Sequence, residues 1–281
     1  MAAWLVPLAL AGATGVLALR ALRLADRRKD RAACTQLEQT SGPAPERFAP
    51  EMVSDLPEPA RRYFLFAIES GTPLSKVARI EMTGQISLGT REKPDYLAMR
   101  ASQVLAGPDG FVWSLRARGR KMWLSGTDGY AAGEGWTRFW LYDLLPVVRA
   151  GGGDDYARSA AGRSIAESLF WVPAALLPSD SVQWEPVDSD TARALVTHRG
   201  HRHALELTVG PDGRPRSVSL LRWSRENSER QWRLQPFGGT IGEILRVGGF
   251  RVAATVEGGN GFGTEAYFPF YSARVLDVRF V

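Results

Sequence analysis

Along most of this chain, apolar and polar residues alternate with a period of two. Over residues 79–88, Ile80, Met82, Gly84, Ile86 and Leu88 alternate with Arg79, Glu81, Thr83, Gln85 and Ser87, which predicts a half-buried strand. Residues 96–106 and 111–118 read the same way, separated by the turn Gly107-Pro108-Asp109-Gly110. Phe111, Trp113, Leu115 and Ala117 form one face of the later strand. Residues 121–126 and 129–138 predict another hairpin through Thr127-Asp128-Gly129. Further strands are predicted over 181–187, 191–198, 202–209, 216–224, 230–237, 248–257 and 264–280, with turns at Asp188-Ser189-Asp190, Arg199-Gly200, 210–215 and 258–263.

Two regions break this period. Residues 56–71 place Leu56, Ala60, Phe64, Ala67 and Ile68 at helical spacing, with Asp55 as a candidate N-cap and Gly71 as the stop. Residues 139–178 predict two helical patches flanking Gly151-Gly152-Gly153. Asp154 or Asp155 would cap the second, and Ile165, Leu169 and Phe170 would line its apolar side. Strands do not alternate regularly with helices, so the sheet is expected to be antiparallel. The predicted class is α+β and β-rich: a curved antiparallel half-barrel of about eleven strands closed by helices, forming one domain over 56–281.

The N-terminus follows a different rule. Residues 1–19 carry no charged side chain and, as a helix, would span about 28 Å, close to the hydrocarbon thickness of a bilayer. Trp4 suits one interface, and Arg20 and Arg23 can snorkel at the other. No basic residue precedes the apolar run, which argues against a cleaved signal peptide. Residues 1–24 are therefore expected to be a transmembrane anchor, and 25–55 a basic flank and Pro-rich linker. The Arg-rich flank predicts a single-pass protein of the cytoplasmic (inner) membrane with its body on the cytoplasmic side; the alternative is an extracytoplasmic body.

Composition narrows the partners. Hydrophobic residues make up 44% and charged residues 23%, which excludes disordered and collagenous chains. The net charge of +5 is local: residues 1–34 carry six basic against two acidic side chains, leaving the remainder at +1. A nucleic-acid-binding body would show a basic stripe of its own, so no nucleic-acid partner is expected. One cysteine, Cys34, excludes an intrachain disulfide and cysteine-clustered metal sites.

Several patches carry a resemblance: 56–64 (LPEPARRYF), Ala101-Ser102-Gln103, Gly110-Phe111-Val112-Trp113, 144–148 (LLPVV) and 171–178 (WVPAALLP). They resemble an uncharacterised bacterial family, a domain of unknown function, over almost the whole body; that resemblance implies no catalytic residue. The order of elements is similar to the lipoprotein-carrier (LolA-like) half-barrel superfamily. This second resemblance implies a cavity for acyl chains or other hydrophobic ligands, and a body outside the cytoplasmic membrane, opposite to the charge rule.

The candidate chemistry is sparse. His198, His201 and His203 are the only histidines, in the run HRGHRH. A two-residue turn at Arg199-Gly200 would put all three on one face, the ligand set of some zinc sites; the alternative is a polar hairpin tip. The glycines of 258–263 precede no helix and so do not form a nucleotide loop. No nucleophile elbow, P-loop or His-Glu-x-x-His motif is present. Asp128, Glu134, Asp143 and Glu167 lie near aromatics, but Arg163 and Glu167 have the spacing of an ordinary helical ion pair. No cofactor and no metal are expected. The body's tryptophans suggest aromatic cavity walls, and the candidate ligand-binding residues are Met99, Trp113, Trp123, Phe139, Trp140, Phe170, Trp171, Trp223 and Trp232. The favoured function is a membrane-anchored binding module for a lipid or other hydrophobic ligand. The alternatives are an enzyme of unrecognised class, metal- or carboxylate-dependent, and a ligand-free scaffold at the membrane.

Overall fold

The computed structural model describes residues 5–41, 46–119 and 122–281, with side chains from residue 13 onward. Two helices come first, α1 (Leu5–Glu38) and α2 (Glu58–Ala67). A meander of six strands follows: β1 (Val77–Ser87), β2 (Tyr96–Ala106), β3 (Gly110–Arg118), β4 (Trp123–Ala131), β5 (Glu134–Leu141) and β6 (Leu145–Gly151). Helix α3 (Asp154–Trp171) leads to β7 (Val182–Pro186), β8 (Thr191–His198), β9 (His201–Val209), β10 (Pro215–Ser224) and β11 (Arg233–Ile241). The chain ends with β12 (Ile244–Val247), β13 (Phe250–Ala253), β14 (Thr255–Asn260) and β15 (Phe268–Phe280).

The architecture is a curved antiparallel half-barrel of thirteen strands, in the order β6-β5-β4-β3-β2-β1-β15-β14-β11-β10-β9-β8-β7. β12 and β13 form a separate ribbon. The last strand, β15, pairs with β1 and joins the two halves of the sheet. Curvature brings the β8–β9 tip to β4, where His198 Nε2 and Tyr130 Oη lie 3.1 Å apart. Helix α3 crosses the concave face, and α1 packs along the convex face of β2–β4. Residues Ala160, Ala161, Gly162, Ser164, Ala166 and Ser168 are all small and buried, which lets α3 approach the sheet closely. A Cβ on Gly162 would already meet His203 Nδ1 at 3.4 Å and Leu220 Cδ1 at 3.5 Å.

The structure corrects several expectations. The β4–β5 turn falls at Ala132-Gly133, with φ of 53° and 85°, rather than at Thr127-Asp128-Gly129. Gly129 lies inside the strand because the Trp136 ring fills the space where a Cβ would sit, 2.3 Å away. The first helical patch of the middle region is the end of β5 followed by edge strand β6; an edge position tolerates Pro146. The segment at 248–257 is divided between β13 and β14, and β12 precedes it. Gly153 caps α3, while Asp154 and Asp155 occupy its first turn, where negative charge suits the helix dipole. Likewise α2 starts after Pro57, not on Asp55.

Residues 25–38, expected as part of a flank and linker, continue α1, and residues 46–57 dock: Phe48 and Val53 are fully buried. The docked half of α1 is held mainly by charge. Arg23 Nε lies 2.8 Å from Asp143 Oδ1, and Arg27 pairs with the same carboxylate. Asp26 receives Arg149 at 2.5 and 3.0 Å and the Trp140 indole N–H at 3.1 Å. Asp30 pairs with Arg138 (3.2 Å) and Glu38 with Arg79 (2.7 Å). Leu37 adds an apolar footing beside Val104, Val112 and Trp136. Among the described residues, no helix is long and apolar enough to cross a membrane. The side chains of residues 1–12, which hold most of the uncharged run, lie outside the described residues.

Candidate functional site

The chemistry of the interior gathers under α3. Strand register brings Gln103, Trp113, Asp128 and Thr137 into one row across β2–β5, all on the concave face. Helix α3 lowers Arg163 and Glu167 onto this row. The Arg163 guanidinium donates to Glu167 Oε1 at 2.6 Å and to Asp128 Oδ2 at 2.5 Å. Gln103 Nε2 donates to the other Glu167 oxygen at 2.6 Å, and Thr137 Oγ1 to the other Asp128 oxygen at 2.7 Å. The guanidinium lies 4.5 Å from the Phe111 ring centroid and 5.2 Å from that of Trp113, a cation–π arrangement. Burial alone would lower the Arg163 pKa; the Glu167 and Asp128 carboxylates outweigh it and hold the group above its ordinary value. Gln103 Oε1, Trp113 Nε1 and Ser164 Oγ are among the buried polar atoms without a partner.

A second row, on the other half of the sheet, runs Val218, Gly239, Gly258 and Tyr271 across β10, β11, β14 and β15. The two opposed glycines leave a gap in an otherwise side-chain-filled face. This gap is a slot of about 70 Å3, roofed on α3 by Ala166, Phe170 and the Arg163–Glu167 pair and walled by Leu220, Phe237 and Ile241. Its surface is mostly apolar, and Arg163, Glu167, Thr240, Glu257 and Tyr271 are the polar residues that line it. Tyr271 donates to Met82 Sδ at 3.0 Å, and burial followed by the nearby Glu167 charge raises its pKa. Ligand pockets usually enclose roughly 300–1,000 Å3, so the interior is far more filled than the expected cavity.

The nine candidate cavity residues separate. Phe170 and Trp171 line the slot, while Met99 and Trp113 face the same interior. Phe139 packs against the core's edge. Trp140 is buried on the opposite, convex side, between the guanidinium groups of Arg23 (5.5 Å) and Arg149 (5.7 Å). Trp123 meets Tyr142 edge to face at the rim. Trp223 bonds Asp155 and carries Arg158 at 4.3 Å, and Trp232 meets Tyr156 edge to face; both serve the outside of α3's first turns.

The histidine hairpin forms as expected, with Arg199 and Gly200 at φ of 47° and 80° and His198 opposite His201. The three rings nevertheless serve different neighbours. His198 meets Tyr130, His201 bonds Asp154 Oδ1 at 3.1 Å, and His203 is buried against α3 with its Nε2 unpartnered. Burial pushes His203 down to about 4, which disfavours the charged ring. Among the described residues, no group of three His, Cys, Asp or Glu side chains is placed to hold a metal ion. Of the four carboxylates, Asp128 and Glu167 bind Arg163, Asp143 binds Arg23 and Arg27, and Glu134 is exposed. Tyr271 and Gly239 were not singled out from the sequence, Gln103 entered only within the resemblance patch Ala101-Ser102-Gln103, and Gly258 only as the start of a turn. Glycine inside a strand marks a close approach, but the predicted strand over 230–237 and turn at 258–263 leave both glycines outside a strand, whereas the structure places them within β11 and β14.

Residues 46–272 match the profile of a family of unknown function (DUF6544), and the chain belongs to that family. No curated protein matches it. Among solved structures, the chain is similar to a LolA superfamily protein from Nitrosomonas europaea, at 11% identity and a TM-score of 0.39, over 79% of this chain and 90% of the other. A putative outer membrane lipoprotein-sorting protein domain from Vibrio parahaemolyticus gives 12%, 0.35, 73% and 85%. A DUF1329 family protein from Desulfovibrio piger gives 11%, 0.38, 73% and 86%.

Proposed function

We propose that this member of the DUF6544 family is a membrane-anchored binding module for a lipid or other hydrophobic ligand, received in the slot beneath α3. The observation that carries the reading is the slot itself. Close packing is the rule in protein interiors, and here the two strand glycines leave an apolar gap in the middle of the concave face. The slot takes the end of one chain, a few carbon atoms long. A longer ligand enters as α3 lifts from the sheet. Its N-terminal turns are held by exposed polar bonds, His201–Asp154 and Trp223–Asp155. Its C-terminal turns are locked by Leu169, Trp171 and the bond from the Trp171 indole to the Ala253 carbonyl. The uncharged run at 1–19 supplies the anchor, and the arginines after it favour a cytoplasmic body.

Native mass spectrometry of the full chain in non-ionic detergent, with solvent extraction of the same sample, tests this. The expected result is a co-purified apolar molecule that survives detergent exchange. A uniformly apo mass, with no extractable lipid above the level of a detergent-solubilised control membrane protein, overturns it.

A further inference from the structure

The convex face carries a second opening, on the opposite side of the sheet from the slot and independent of it. A groove of about 810 Å3 runs between α1 and the outer face of β1–β4. On its floor, Arg100 of β2 lies directly opposite Arg116 of β3. Two positions along, Ser102 lies directly opposite Ser114. Arg31 and Thr35, four apart on α1 and so on one helix face, overhang the same floor. Like charges directly opposed across an antiparallel pair destabilise it. At the interface between α1 and the sheet, Arg23 and Arg27 pair with Asp143, Arg138 with Asp30, Arg149 with Asp26 and Arg79 with Glu38, while Arg20 and Arg28 of α1 are exposed. Among the described residues, Arg31, Arg100 and Arg116 have no ion pair, and the two serine hydroxyls have no hydrogen-bond partner. Glu81 also faces the groove and forms no ion pair with any of them.

We propose that this Arg–Ser cradle binds a phosphate group. Arginine's planar fork matches phosphate oxygens, and a dianion between Arg100 and Arg116 converts their repulsion into two charge-assisted pairs. Ser102 and Ser114 donate hydroxyl hydrogen bonds to the remaining oxygens, and Arg31 closes the site from α1. The phosphate group is either a free anion or the headgroup of an anionic lipid, and one experiment separates these sources.

The full chain in non-ionic detergent is melted at constant ionic strength, with chloride exchanged for inorganic phosphate. In a second arm phosphatidylglycerol is added to the micelles. The cradle is expected to raise the melting midpoint in at least one arm, through preferential binding to the folded state. A response to inorganic phosphate identifies a free anion, and a response to phosphatidylglycerol alone a lipid headgroup. Arg100→Gln and Arg116→Gln are each expected to weaken the response at least tenfold in ligand concentration. Without ligand, each is expected to melt at or above the wild-type midpoint, because the repulsion is gone. No response in either arm overturns the site, as does an undiminished response in both variants.

Discussion

Gly258 sits at the bottom of the slot with ordinary backbone angles, and a Cβ built there meets only the Gly238 carbonyl, at 3.4 Å. A side chain therefore fits. Its partner Gly239 is different: a Cβ there lands 1.9 Å from the Glu257 carbonyl. Gly258→Val is thus expected to fill the slot without moving the strand. Cavity volume is worth about 24 cal/mol per Å3, so filling some 70 Å3 stabilises the ligand-free protein by up to about 2 kcal/mol. Because the slot opens partly to solvent, about 1 kcal/mol is the expected gain. Removing a strand glycine also lowers the unfolded chain's entropy, which acts in the same direction. Urea unfolding of delipidated protein measures the change, and native mass spectrometry of the same variant measures ligand retention. The expectation is a higher midpoint with unchanged slope, together with loss of the co-purified molecule. A destabilised variant would refute the packing argument; a stabilised variant that still carries its ligand would refute the slot as the binding place.

Arg163→Met is expected to cost about 3 kcal/mol or more in denaturant unfolding, because it leaves the largely buried Glu167 and Asp128 carboxylates unpaired; a loss below 1 kcal/mol would show that water reaches them. His203 has a folded pKa of about 4, so the unfolded chain binds a proton first as pH falls through 6.5. Its contribution is complete above pH 6.5 and is lost progressively down to pH 4, by about 3 kcal/mol in all. His203→Leu should flatten that slope in urea titrations, and an unchanged slope would assign the acid sensitivity elsewhere. Asp26→Ala removes the acceptor of both Arg149 and the Trp140 indole. Amide exchange over residues 23–38 should then rise at least tenfold while that of α3 stays fixed, and equal protection in both proteins would show that α1 docks without its ion pairs.

Much of the sheet was legible because half-buried strands write their burial into a period of two. β1 and β3 show it directly, and the Arg199-Gly200 turn is a local signal that needs nothing from the rest of the chain. The failures share a cause. β6 is an edge strand whose Leu145, Val147 and Val148 stay exposed, so its apolar residues record no core. Gly129 looks like turn punctuation, but it answers a ring seven residues later on the next strand. In both cases the deciding partner is tertiary.

The site repeats this division on a larger scale. Arg163 and Glu167 were readable as a pair because four residues on a helix place them together. Gln103 and Asp128, which make the pair an interior polar centre, stand 64 and 35 residues away from the groups they bind, and only the β2–β3–β4 register brings them there. The tryptophans misled for a related reason. One indole suits a core, a rim or an ion-pair lattice equally well, and this chain uses all three, in Trp171, Trp123 and Trp140. The informative residues were instead the absent side chains. Gly239 and Gly258 are separated by a hairpin-like ribbon in sequence and opposed in the sheet. The space they leave lies against the buried charges of α3. The backbone accepts a side chain at Gly258 but not at Gly239, so the one substitution that fills this space without moving a strand is also the one that separates close packing from ligand binding.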